Sequence, residues 1–81
     1  MNFKELKEEI LGELMGYHPI TEAERFYVNY LTVEARVLRE DYVEIFRKDL
    51  EGASKDPYVS YSFQVFLKRL ISLISEKEKI G

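Results

Sequence analysis

Few side chains in this sequence are equipped for chemistry. There is one histidine and no cysteine. That excludes a disulfide framework, a thiol nucleophile, a Cys/His dyad and any zinc site that uses cysteine. His18 lies in Tyr17-His18-Pro19-Ile20, where proline disfavours helix at the residue before it. It reads as a turn residue, solvated or bonded to a helix end, rather than as a catalyst. Glu5, Glu8, Glu9 and Glu13 crowd the first segment. Paired carboxylates can hold divalent cations or move protons. Here they are interleaved with Lys4 and Lys7, which is the pattern of a solvated face.

Two other groups carry more information. Arg25, Arg36, Arg39 and Arg47 fall within about 80° of one another if they share one helix, and they span about 33 Å. Such a stripe can follow a phosphate backbone. Glu22 and Glu40 flank it, however, and the formal net charge is −3. Local ion pairs such as Arg36–Glu40 and Glu44–Lys48 are the simpler reading. Glu34 points between two apolar stripes, toward Tyr27, Tyr30 and Leu38. A carboxylate placed there must be paired with a tyrosine hydroxyl or an arginine, protonated, or facing a gap between subunits.

No Gly-rich phosphate loop, Ser/His/Asp set, HExxH motif or EF-hand spacing is present. The expectation is a chain that is not an enzyme, with no catalytic residue, no cofactor and no metal site.

The elements that must position these groups are helical. Asn2 and Glu5 have capping-box spacing, and Phe3, Leu6, Ile10 and Leu14 form one stripe, widened by Leu11 and Met15. Gly16 stands where a left-handed residue often ends a helix, and Gly12 suggests a close helix contact. Thr21 and Glu24 repeat the capping spacing. Nothing obvious interrupts the pattern until Gly52, so one helix is expected from Glu22 to about Glu51, about 45 Å long. Tyr27, Leu31, Ala35, Leu38, Tyr42, Ile45 and Phe46 share its core arc. Phe26, Tyr30, Val33 and Val37 form a second apolar stripe on its first half. At that same angle the second half carries Asp41, Glu44, Lys48 and Glu51.

Asp56 and Pro57 read as N-cap and first residue of a third helix. Its core arc holds Val59, Phe63, Phe66, Leu67, Leu70, Leu73 and Ile74, and fraying is expected after Ser75. Phe26–Val33 and Val59–Val65 are also rich in strand formers, but the helical period fits the longer windows better. The expected fold is therefore all-α: one domain over residues 1–81, a three-helix antiparallel bundle with a long central helix, dimerising into a larger bundle.

A chain of 81 residues without disulfides buries roughly 60% of its extended surface. A core that small rarely supplies more than about 3–5 kcal/mol. Five Phe and six Tyr are a heavy apolar load at this size. A partner chain, most simply a second copy, is the expected remedy. The expected interface residues are Phe26, Tyr30, Val33 and Val37, with Tyr58, Tyr61 and Val65 as a further patch.

No stretch reaches the ~18 apolar residues of a membrane span, and Met1 to Glu9 lacks the apolar core of a signal peptide. A cytoplasmic protein is expected. One Gln, two Asn, no Cys and abundant Glu and Lys match the bias of heat-adapted proteins. The layout of a capped first helix, a Phe26-Tyr27 pair and a closing Lys77-Glu78-Lys79-Ile80 is faintly similar to the helical domain of archaeal GINS replisome subunits. No diagnostic motif accompanies it, and no residue carries over. The functional expectation is a small interaction module: an adaptor, an inhibitor or an assembly subunit. The alternative is a nucleic-acid-associated regulatory or replication/transcription accessory protein that uses the arginine stripe.

Overall fold

The computed structural model describes residues 2–80, with side chains through Glu76. Four α-helices follow one another: α1 Phe3–Gly16, α2 Glu22–Arg36, α3 Val43–Ser54 and α4 Tyr61–Ile80. A single turn of 3-10 helix, Glu40–Tyr42, leads into α3. No strand occurs among the described residues, so both strand-like segments resolve as helix or as the turn before α4. α3 packs along α4 and α1 along α2, with smaller α1–α4 and α2–α3 contacts. The core is one cluster built from Leu6, Ile10 and Leu14 of α1, Leu31 and Ala35 of α2, Phe46 and Leu50 of α3, and Phe63, Leu67, Leu70 and Ile74 of α4.

The expected long helix is two helices, and the bundle therefore has four members rather than three. Val37 leaves the helical region, and Arg39 is extended at φ −128°, ψ 159°. Neither glycine nor proline causes the break. A continuous rod would be about 45 Å long, whereas the longest extent of the molecule is 35 Å. Folding back lets α3 lie against α4. The break also resets the helical phase, so α3 buries Val43, Phe46, Leu50 and Ala53. Tyr42 and Ile45, expected in the core arc, are exposed instead. Leu38 remains buried at the corner, and Lys7 donates to its carbonyl at 3.4 Å. The charges agree with the break: Arg36 stands in the last turn of α2, and Glu40, Asp41 and Glu44 stand in the first turns beyond it. Cations at a helix C-terminus and anions at an N-terminus complement the backbone dipoles.

Four boundaries also differ from expectation. Asp56 does not cap α4; its Oδ1 accepts from the Tyr58 amide at 2.8 Å and closes a turn. The cap is Ser60, whose Oγ accepts from the Phe63 amide at 3.2 Å. Gly52 lies inside α3, which runs on to Ser54, and α4 continues past Ser75 to Ile80. Gly16 is not left-handed, since no described glycine has positive φ; Tyr17 ends α1 in an extended conformation.

Gly12 makes no close helix contact either, because a Cβ there would meet nothing within 4 Å. It is an exposed glycine in a helix interior, where alanine is favoured by about 0.5–1 kcal/mol. Gly12→Ala should raise the unfolding free energy by about that amount, read by urea denaturation. A loss of stability would contradict the open notch beside α1.

Candidate functional site

Two glutamates on α2 are buried, and their surroundings are opposite. Glu24 is fully enclosed. The Thr21 hydroxyl accepts from the Glu24 amide at 3.1 Å, which is half of the expected capping box. The Glu24 side chain reaches back one residue further than the motif implies, accepting from the Ile20 amide at 3.0 Å. Its other oxygen accepts from the Ser60 amide at 2.6 Å. One carboxylate thus binds the start of α2 and the cap of α4. Burial alone would push its pKa up. Donation from the Ile20 and Ser60 amides, the Ser60 hydroxyl and the Thr21 amide outweighs burial and holds it below the ordinary value.

Glu34 is 8% exposed, and neither of its oxygens has a hydrogen-bond partner among the described residues. Its nearest polar neighbours are Asp49 of α3 and Tyr42 of the 3-10 turn. No arginine reaches it. Burial first, then the adjacent Asp49, raise its pKa from 4.5 to about 8, with the Tyr42 hydroxyl working the other way. At neutral pH the carboxyl is therefore held mostly protonated. Its charge, when present, raises the Tyr30 phenol, and burial followed by the same carboxyls raises that of Tyr42.

Asp49 lines a groove of about 270 Å³ between α2 and α3, with Phe26, Tyr27, Tyr30, Leu31 and Lys48 among its walls. The Phe26 and Tyr30 rings stack there, centroids 6.1 Å apart and planes 15° apart. Below them the Tyr27 hydroxyl donates to Asp56 Oδ2 at 2.5 Å. That bond first, then the Tyr58 amide, lowers the Asp56 pKa; the same bond, with burial and the Asp56 charge, raises that of Tyr27.

The expected interface stripe lies open on α2 and its C-cap: Phe26 is 63% exposed, Tyr30 49%, Val33 62% and Val37 71%. Tyr58, Tyr61 and Val65 are also exposed, although Tyr58 precedes α4 instead of lying on it. The arginines do not share a helix. Arg25 and Arg36 stand on α2, and Arg39 is in the connection, 3.2 Å from Asp41. Arg47 on α3 is held by Glu44 and by Glu51, the latter at 2.6 Å. The single rod that would lay four guanidinium groups along a phosphate backbone is not formed, because the chain turns at Val37–Tyr42.

His18 is exposed in its turn. Glu5, Glu8 and Glu9 are exposed, while Glu13 pairs with Arg69, whose guanidinium lies 5.9 Å from the Phe66 ring. No group of three His, Cys, Asp or Glu residues is positioned to hold a metal ion among the described residues. No helix among them is long and apolar enough to cross a membrane. Sequence reasoning found Glu34 from its angle and the local half of the Glu24 motif from its spacing. It missed Asp49, which approaches Glu34 only because α3 is a separate helix. It also missed Ser60, 36 positions from Glu24.

No protein family, curated protein or solved structure matches the chain.

Two stability measurements follow. Glu24→Gln replaces a charge-assisted acceptor by an amide that opposes one donor with another, and should cost about 2–3 kcal/mol in urea unfolding; an unchanged midpoint would contradict the tie between α2 and α4. For Glu34 the folded pKa lies above the unfolded one. The folded state then binds the extra proton, and the stabilisation is complete below about pH 4.5 and lost as pH rises toward 8. Wild-type stability should fall across that window with a slope of up to about 1.4 kcal/mol per pH unit, and Glu34→Gln should flatten it. An identical slope in the variant would contradict the burial of a protonated acid.

Proposed function

We propose that the chain is a non-enzymatic helical interaction module that associates with a second copy of itself through the outer face of α2. The observation that supports this most is the stripe Phe26, Tyr30, Val33 and Val37. Its spacing is four, three and four residues, the a/d period of paired helices. A solvated helix face has no need of that period. All four side chains are at least half or nearly half exposed in the single chain. Monomers seldom leave so concentrated an apolar stripe uncovered. The neighbouring groove, with Phe26 and Tyr30 in common, widens the surface toward the size a stable interface needs, roughly 1,200 Å² or more in total.

The interaction reading assigns the module no active site. Its role is to present one apolar helix face.

Sedimentation equilibrium at micromolar concentration tests it. The expected mass is about twice the 9.6 kDa of one chain. Tyr30→Asp or Val37→Asp should yield the single-chain mass, because an uncompensated carboxylate in an apolar seam is costly. Tyr61→Asp, on α4, should leave the larger mass intact. A wild-type protein that sediments as one chain would overturn the proposal.

A further inference from the structure

Glu34 stands at the edge of the apolar stripe on α2. At about 100° per residue it lies about 40° around the helix from Tyr30 and about 60° from Val37. It is 8% exposed, and both carboxyl oxygens are buried without a hydrogen bond among the described residues. The titratable groups that face it are Tyr30 from α2 itself, Tyr42 from the 3-10 turn and Asp49 from α3. The cations of the elements packed around it are placed elsewhere. Lys7 of α1 donates to the Leu38 carbonyl, four positions further on. Arg47 of α3 pairs with Glu44 and Glu51, and Lys48 of α3 lines the outer groove. A neutral carboxyl suits this position. A carboxylate would be desolvated there beside a second acid.

We propose that pairing through the α2 stripe is gated by a proton: two copies stay together while Glu34 is a neutral acid and separate when it becomes a carboxylate. The gate rests on the self-association proposed above and adds its regulation. Tyr30 links the two features, since it belongs to the stripe, is 49% exposed, and feels the charge of Glu34 at its phenol. A second copy laid over Tyr30 and Val37 takes from Glu34 its remaining contact with water. That costs the neutral acid little and the carboxylate much. The paired state therefore binds the proton more tightly than the separate chains do. Each pair carries two such acids, so the effect counts twice. Burial and Asp49 hold Glu34 neutral up to about pH 8. Association is then complete below that range and weakens as pH rises through it. The Tyr30 and Tyr42 phenols are raised above their ordinary value of 10 and stay neutral across the window.

The dimer dissociation constant of the full chain, measured by sedimentation equilibrium at steps from about pH 6.5 to about pH 9, reads the gate. Far-ultraviolet circular dichroism at each step follows the helices. For the wild type the constant should rise at least tenfold across the range. Its ceiling is about a hundredfold, reached when both copies must regain a proton to pair. Glu34→Gln, which keeps the shape and cannot ionise, should stay paired with a constant that does not change with pH. Asp49→Asn removes the neighbouring like charge, so its transition should move to higher pH-sensitivity at a lower pH than that of the wild type. A wild-type constant that is flat in pH, or a Glu34→Gln variant that follows the wild-type course, would overturn the gate while leaving self-association standing. A transition unmoved in Asp49→Asn would overturn the part given to the acidic neighbour. Dissociation that tracks loss of helical signal would also overturn the gate, since unfolding would then be its cause. A single-chain mass at every pH would instead overturn the self-association itself, and the gate with it.

Discussion

The fold hangs on one carboxylate. Glu24 is enclosed where the first turn of α2 meets the cap of α4, and it accepts from the amides of Ile20 and Ser60. Both helix N-termini present unsatisfied amide groups and a positive dipole end there. A single negative charge answers both. Because the bonds run to backbone, they fix the rotation of α2 about its own axis as well as its position. Leu31 and Ala35 are then turned into the core, and Phe26, Tyr30, Val33 and Val37 are turned out. The exposed stripe is thus a consequence of how α2 is anchored, and the chain has no further helix among those described to lay over it.

Ten positions along the same helix, Glu34 occupies the opposite kind of site. It is buried against another acid, with no amide or guanidinium donor. The pair illustrates that burial alone does not decide the charge of a carboxyl; the donors supplied by neighbouring backbone do. Glu24 strengthens the fold as an anion. Glu34 is held as a neutral acid by burial and by the neighbouring Asp49. The aromatic side chains divide between interior and surface: Tyr17, Phe63 and Phe66 pack together at 4.4–6.1 Å between ring centroids, while Phe26 and Tyr30 stack on the outside.

Much of this was legible from residue order. The stripe of α1, both capping spacings, the buried residues of α4 and the outward set on α2 follow from a period of 3.6 residues, because each depends on contacts within one helix. The turn at Val37–Tyr42 was not legible by the usual punctuation, since it holds neither glycine nor proline. The signal was electrostatic: arginine at positions 36 and 39, then acids at 40, 41 and 44. Reading through that turn carried the phase error into Tyr42 and Ile45, and it aligned four arginines that belong to two helices and a connection. The Asp49 approach to Glu34 and the Ser60 bond to Glu24 lay beyond sequence reach for another reason. Both join segments whose proximity is set only when α3 folds back.

The central claim is that the outward face of α2 is covered in the working protein. Hydroxyl-radical footprinting, read by mass spectrometry on dilute and concentrated samples, addresses it residue by residue. Labelling of Phe26 and Tyr30 should drop severalfold on concentration, while that of Tyr58 and Tyr61 stays constant. Phe26 and Tyr30 remaining as reactive in the concentrated sample as in the dilute one would contradict it.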